Sequence, residues 1–390
     1  LRPVPHRRGS DVTVFAVDDR SAQVLWRDLP AGPLDLEVLD DDRTIVHAVV
    51  DVAGSDAPGS YVIDGLPAAT ALTVVARPGD AAPRRLPVQT AARLPGEELS
   101  RFATISDLHL GERGFGHFGT IHEDPHPDGP HALRCARTAI AELTAWGAER
   151  VVVKGDVTNS GAIEQWRTYA ALVDEAAVPF DALPGNHDLE HWSSSSRSIS
   201  APEAAKLFGF SMANPILVRD LPGLRVVLVD SNQPASDRGT LTLVLADILD
   251  AVAEVPQDTT VVVALHHQLH PWYGREVWPI GITHRESLDL LERLGRVHPR
   301  SLVTSGHTHR HRRWSHAGVT TTQVGSTKDY PGVWAGYVVA EGGLRQVVRR
   351  VGEPSCLAWT DRTRRAAGGA WRFIGPGPMS SRTFDLTFPT

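Results

Sequence analysis

At 390 residues, with 42% hydrophobic and 22% charged residues, the chain has an ordinary globular composition and the length of two domains rather than one small core. Its formal net charge of −7 argues against a general nucleic-acid binder, which needs a basic stripe to displace counterions from phosphates, and the late clusters Arg310/Arg312/Arg313, Arg349/Arg350 and Arg362/Arg364/Arg365 read as solvated surface. Two distant cysteines exclude a disulfide framework, and no apolar run reaches the roughly 18 residues that span a bilayer.

Residues 11–92 alternate short apolar runs with turn residues. The spacing predicts strands over 11–17, 22–27, 34–39, 44–50, 60–64, 71–77 and 84–90. Breaks fall at Pro30-Ala31-Gly32-Pro33, Asp40-Asp41-Asp42, residues 54–59 and Pro78-Gly79-Asp80. Strands at this spacing, with no helical period between them, predict a small antiparallel β-sandwich over 1–95. Residues 94–100, with Pro95-Gly96, read as a linker. From Arg101 onward apolar runs alternate with helix-like stretches, the pattern of an α/β domain, expected over 96–351. Helices are predicted over 132–146, 160–177, 201–208, 241–255 and 285–297. The first of these carries Leu133, Ala136, Ile140, Leu143 and Ala145 at helical spacing. Residues 352–390, with Trp359, Trp371 and an apolar alternation from Phe384 to Phe388, are expected as a final strand and tail. This tail is expected to pack on the α/β domain or on a partner subunit of a homo-oligomer.

Five apolar runs of the second region end alike. Residues 102–106 run into Asp107-Leu108-His109, and 151–153 run through Lys154-Gly155 into Asp156. Residues 180–183 lead through Pro184-Gly185 into Asn186-His187-Asp188. Residues 261–265 end in His266-His267, and 302–304 in Ser305-Gly306-His307-Thr308-His309. Taken singly, each is an ordinary turn or capped loop. In an open α/β sheet, however, ligands gather beyond the carboxyl ends of strands, and five such ends bearing Asp, Asn or His point to one metal-binding crevice. No cysteine lies near these motifs, which weighs against a structural thiolate zinc site.

Those five motifs resemble the signature of the calcineurin-like metallophosphoesterases, over roughly residues 101–350, and within that family the bacterial cyclic-nucleotide phosphodiesterase and glycerophosphodiesterase branch. The resemblance implies a four-layer αββα sandwich. It also implies a dinuclear centre in which Asp156 bridges, Asp107, His109 and His309 complete one metal, and Asn186, His266 and His307 complete the other. Imidazole, carboxylate and amide donors suit two divalent or mixed-valence ions, with Mn, Fe, Zn and Co all admitted. The resemblance makes His187 the residue that contacts the phosphate and protonates the leaving group. Asp188 is expected either to orient the His187 ring or to serve as a turn residue. In the first domain, residues 60–77, with Gly65-Leu66-Pro67 leading into Leu72, Val74 and Ala76, resemble a fibronectin type III module, although Leu72 stands where that family carries its corner tyrosine.

Two departures from the phosphoesterase pattern bear on substrate. Gln268 follows the paired histidines where two prolines are frequent, and Asn159 stands where an acidic residue is common. Residues 110–130, with Gly114-Phe115-Gly116-His117-Phe118, His122, Asp124 and His126, are read as either a lid over the crevice or a surface loop. Trp192, Trp272, Tyr273 and Trp278 are read as either a stacking wall or core. The histidines left over, His117, His122, His126, His131, His311 and His316, are assigned to packing or surface. The expected activity is hydrolysis of a small-molecule phosphodiester such as a nucleotide or glycerophosphodiester, with no nucleic-acid polymer as partner and no membrane span. Phosphomonoesterase and phosphoprotein phosphatase are the enzymatic alternatives, and an adhesion protein with a vestigial metal site is the alternative of another class. Leu1 is followed by no signal-like segment, so a soluble protein is expected, cytoplasmic ahead of an exported mature form.

Overall fold

Side chains alternate between the two faces of the first strands. In β2 (Ser21–Arg27), β3 (Gly32–Asp40) and β6 (Ala71–Pro78), alternate residues Val24 and Trp26, Leu34, Leu36 and Val38, and Leu72, Val74 and Ala76 turn into one apolar core. The computed structural model describes residues 11–54, 57–79, 82–116, 119–189, 198–272 and 279–388. The chain divides into two units, Leu1–Arg93 with Gly352–Ala358, and Leu94–Val351 with Trp359–Thr390.

In the first unit β1 (Asp11–Val17), β2 and β5 (Gly59–Asp64) form one antiparallel sheet, ordered β1-β2-β5. The other sheet is ordered β4-β3-β6-β7, with β4 at Arg43–Val52 and β7 at Arg84–Gln89. The β1–β2 turn is closed by Asp18, whose Oδ1 accepts from the Ser21 amide at 2.6 Å and whose Oδ2 accepts from the Ser21 hydroxyl at 2.7 Å. This all-β unit fits the fibronectin type III resemblance.

The second unit is a four-layer α/β sandwich around two six-stranded mixed sheets. One sheet is ordered β12-β11-β8-β19-β20-β21: Phe180–Leu183, Arg150–Lys154, Glu98–Ile105, Val333–Ala340, Gly343–Arg350 and Phe384–Thr387. Between β8 and β11 a short hairpin, β9 (Gly114–Phe115) with β10 (Ile121–His122), precedes α1 (His131–Ala145). The other sheet is ordered β13-β14-β15-β16-β18-β17: Ile216–Leu221, Leu224–Val229, Thr260–Ala264, Ser301–Ser305, Val319–Gln323 and Arg312–His316. Strands β8, β11 and β12 run parallel, as do β14, β15, β16 and β18. Helices α4 (Leu245–Ala253) and α5 (His284–Val297) cover the second sheet, closing a core that includes Val227, Val263, Ile248, Leu290 and Val303. The helix α2 (Ile163–Glu175) joins β11 to β12 as the crossover that parallel strands require, and α3 (Ala201–Phe208) follows. Between the sheets, the fully buried Lys154 donates to Thr304 Oγ1 at 3.1 Å and to the Ser305 carbonyl at 2.8 Å, and burial draws its pKa down to about 7.

Two expectations change. Arg349 and Arg350 lie in a strand rather than on solvated surface, and Arg350 donates to the Pro331 carbonyl, Asp361 and Thr360. Residues 352–390 carry helices α6 (Pro354–Thr363), α7 (Trp371–Ile374) and α8 (Met379–Arg382) before β21, and Gly352–Ala358 group with the first unit.

Candidate metal centre

The five parallel strands β8, β11, β12, β15 and β16 deliver Asp107/His109, Asp156, Asn186/His187, His266 and His307/His309 just past their carboxyl ends. The loops extend the ladders. The Asp107 amide donates to the Gly155 carbonyl (3.1 Å), the His109 amide to the Asp156 carbonyl (2.8 Å), and the Gly306 amide to the His266 carbonyl (3.0 Å). Asp107, His109, Asp156, His307 and His309 all have positive φ, between 44° and 64°. Left-handed backbone turns these side chains inward at a local cost that glycine would not incur. Gly185 is required by space: a Cβ there would stand 2.3 Å from both the amide nitrogen and Oδ1 of Asp156.

All seven residues nominated as ligands come together, and all but His309 are buried. Asp156 Oδ2 lies 3.4 Å from His109 Nε2 and 3.3 Å from His266 Nε2, between the two groups. On one side His309 Nε2 is 3.4 Å from Asp107 Oδ1. On the other, His266 Nε2 is 3.1 Å from Asn186 Oδ1 and 3.1 Å from His307 Nδ1. Donors sharing one ion at about 2.1 Å stand roughly 3.0 Å apart in octahedral and 3.4 Å apart in tetrahedral geometry. The observed separations match. Asp107 Oδ2 and both ring nitrogens of His109 are buried with no hydrogen-bond partner among the described residues, which is unusual for polar atoms unless they face an ion.

The ring tautomers are set from behind. His266 Nδ1 donates to the Lys154 carbonyl (2.9 Å) and His307 Nε2 to the Ile280 carbonyl (3.2 Å), so their other nitrogens face the centre. Burial works against a charged His309, yet Asp329 and Asp107 carry it up to about 10. Burial opposes charge at His266 too, but Asp156 brings it up to about 9. Burial and the neighbouring His266 push His307 down to about 3. The clustered carboxylates thus create a field that favours positive charge, whether proton or metal cation.

His187 stands at the rim, its ring edge-on to His109 at 4.5 Å between centroids, with its amide donating to Asp156 Oδ1 at 2.9 Å. Of the two roles expected for Asp188, its hydrogen bonds are those of the turn residue. His187 Nδ1 lies 3.0 Å from the Asn159 carbonyl oxygen, which orients the ring. The Asp188 carboxylate instead accepts from the amides of Gly185 (2.9 Å), Val157 (3.1 Å) and Thr158 (2.8 Å) and from Thr158 Oγ1 (2.8 Å). Asn186–Asp188 is a single 3-10 turn, where successive side chains point about 120° apart, so sequence neighbours face different ways. Since Asn159 acts through its backbone, the departure at its side chain leaves this contact untouched.

Sequence reasoning missed Asp329, fully buried with Oδ2 2.6 Å from His309 Nδ1, and the neighbouring Lys328. The signal was a sixth strand end: β18 runs parallel to β16 and its exit leads to Ser326-Thr327-Lys328-Asp329. His267 is buried, with Nδ1 2.9 Å from Ser231 Oγ and its ring 4.8 Å from His307. The insertion after Leu110 brings Phe115 to 6.2 Å from the His309 ring. It is fastened by Glu112 to Lys328, by Glu123 to His131 and Arg134, and by the His122 carbonyl to Arg362. His131 stacks on Trp359 at 4.0 Å, His311 is buried, and His316 lies 3.2 Å from Glu292. Trp272 is 78% exposed, while His117, Trp192, Tyr273 and Trp278 lie outside the described residues.

Residues 100–311 match the calcineurin-like phosphoesterase family. A protein of Rhodococcus erythropolis named as a probable cyclic nucleotide phosphodiesterase is 29% identical over 170 residues, which cover 42% of this chain and 50% of that relative. Among solved structures, PhoD aligns with a TM-score of 0.46 at 11% identity, over 86% of this chain and 85% of its own. A purple acid phosphatase from yellow lupin seeds aligns with a TM-score of 0.46 at 12% identity, over 87% and 72%. The metal-type cluster lies on five motifs that all fall within the matched segment, and the chain belongs to the calcineurin-like phosphoesterase family.

Proposed function

We propose that the chain is a metal-dependent phosphodiesterase of small molecules, nucleotides and glycerophosphodiesters foremost. In this reading Asp107, His109 and His309 would hold one ion, Asn186, His266 and His307 would hold the other, and Asp156 would be shared between them. The observation that carries it is the position of Asp156 Oδ2, within 3.4 Å of donors from both groups. The donor set of imidazole, carboxylate and amide oxygen fits borderline ions such as Mn, Fe, Zn or Co. A pair of such ions would supply an activated water and neutralise the phosphoryl oxygens.

The chain's own residues supply the rest. A carbonyl oxygen can only accept, so the Asn159 contact puts a proton on His187 Nδ1 and leaves Nε2 as the atom that exchanges one with substrate. As imidazolium, His187 donates from Nε2 to the departing alkoxide oxygen. The Asp156 carboxylate fixes the His187 backbone, which ties the acid to the bridging group. The name of the Rhodococcus relative favours a diester substrate.

The test is a panel of bis-aryl, mono-aryl, cyclic-nucleotide and glycerophosphodiester substrates with Mn, Fe, Zn or Co added. Faster cleavage of diesters than of the mono-aryl ester supports the reading. Preference for the monoester makes the chain a phosphomonoesterase, and no cleavage of any ester by metal-loaded protein refutes an enzymatic role. His187→Ala is expected to keep its ions and lose roughly 10²- to 10⁴-fold in kcat, the usual worth of a general acid. Equal loss of metal from that variant would remove His187 from the role.

A further inference from the structure

The four imidazoles around Asp156 are backed in different ways. His266 and His307 each donate to a backbone carbonyl, and neither nitrogen of His109 has a hydrogen-bond partner among the described residues. His309 alone of the four is backed by a carboxylate, its Nδ1 lying 2.6 Å from Asp329 Oδ2. Asp329 is completely buried. The cation beside it is Lys328, whose Nζ is 3.6 Å from Asp329 Oδ2. Lys328 is buried as well and ion-paired to Glu112. Its ammonium lies 5.0 Å from the centroid of the Phe115 ring, and that ring faces His309 with only 21° between planes.

These contacts close a circuit. Glu112 and Phe115 continue the chain just after Asp107 and His109, while Lys328 and Asp329 follow β18. A buried charge pair of this kind is costly to build and costly to break, so its place directly behind one donor calls for a reason. A carboxylate behind an imidazole fixes the ring and makes its distal nitrogen a stronger donor than a carbonyl does. That distal atom, His309 Nε2, is the one 3.4 Å from Asp107 Oδ1.

Building on the dinuclear reading, we propose that Asp329 is a positioning residue for the metal centre. Held by the Lys328–Glu112 pair, it locks the His309 ring and strengthens Nε2 as a donor to the ion shared with Asp107, His109 and Asp156. Its effect is confined to that ion, because the other is held by histidines backed by backbone carbonyls.

The test is Mn²⁺ binding to the full chain, followed by equilibrium dialysis and by electron paramagnetic resonance. Wild-type protein is expected to take up two ions that give a spin-coupled signal. Asp329→Asn keeps the shape of the side chain. It is expected to weaken one ion by about 10- to 100-fold, leave the other unchanged, and convert the coupled signal into that of an isolated ion. Glu112→Gln disturbs Lys328 without touching His309 and should weaken the same ion by a smaller factor. Retention of the second ion shows that the variants are folded. Wild-type affinities for both ions in Asp329→Asn, or equal weakening of both, would overturn the inference. Uptake of fewer than two ions by the wild type would instead overturn the dinuclear reading on which it rests.

Discussion

Asp188 offers a direct contest between two roles. Its carboxylate takes four hydrogen bonds of 2.8–3.1 Å, three of them from backbone amides of Val157, Thr158 and Gly185. All four donors sit in the two loops that carry Asp156 and Asn186. Asp188→Ala would orphan three buried amides at roughly 1–3 kcal/mol each, about 3–9 kcal/mol in sum, the lower end applying if water enters. Asp188→Asn keeps the shape but turns one acceptor into a donor facing at least one amide, so about 2–4 kcal/mol is expected from a mispaired, formerly charge-assisted contact. Since the loops carry nominated ligands from both halves of the candidate centre, metal affinity should fall with stability. Urea unfolding at saturating and at zero Mn²⁺, with metal content measured on the same samples, reads both quantities. If Asp188→Asn stays within about 0.5 kcal/mol of wild type with full metal content while kcat collapses, the carboxylate serves His187 and this reasoning is refuted.

Further consequences are open to simple measurement. Gly185→Ala should cost about 1–3 kcal/mol and weaken metal binding, because the added carbon meets the Asp156 backbone amide, which cannot swing away, as well as the Asp156 carboxylate; unchanged unfolding and metal uptake would contradict the packing. Burial opposes charge on Glu123, but bonds from His131 and Arg134 bring it down to about 2, so its stabilisation is present above the ordinary glutamate range and is lost as pH falls from about 4.5 towards 2. Glu123→Gln should flatten the stability–pH profile in that window, and an unaltered slope counts against the bonds. With His266 raised to about 9 and His309 to about 10, entering cations must displace protons, so apparent metal affinity should climb with pH across 6–8. Calorimetry in buffers of different ionisation heat should register release of about two protons at pH 7, and a value near zero is the contrary result.

The nominated ligands could be picked out in the sequence because they follow strands that are apolar throughout. Val151-Val152-Val153 and Val261-Val262-Val263 are buried on both faces, so each run announces a parallel strand and the polar residue after it announces a strand end. The backing residues were hidden for the converse reason. Strand β18, Val319–Gln323, carries three threonines and a glutamine that are buried all the same, so no apolar run flagged the exit leading to Asp329. Strand β20 buries Arg345, Gln346, Arg349 and Arg350, matched by Asp385, Asp361 and backbone carbonyls. Its sequence therefore looks like surface. Of the two roles open to Asp188 in the sequence, adjacency along the chain favoured the contact with His187, whereas one 3-10 turn separates the two side chains and the carboxylate braces the loops.

The backbone itself bears on why such a site is recognisable at all. Asp107, His109, Asp156, His307 and His309 occupy left-handed conformations that glycine would adopt freely, and each costs of order 1–3 kcal/mol for a larger residue. Glycine takes such a conformation at Gly155, where φ is 79° and a Cβ would also stand 2.5 Å from His266 Nδ1. Aspartate and histidine at five such positions around one crevice are accounted for if their side chains are wanted where that backbone aims them, although Asp28, Asp41, Ala69, Ala235, Ala317 and Ala367 adopt the same conformation elsewhere. The strain is held by bonds between loops: His307 donates its amide to Asp107 Oδ1, Ser326 donates its hydroxyl to the Asp107 carbonyl, and His187 donates its amide to Asp156 Oδ1. Two of those three acceptors are carboxylate oxygens of nominated ligands. The same groups that face the cation site therefore also restrain the loops presenting them, and an ion bound there would tighten the scaffold that holds it.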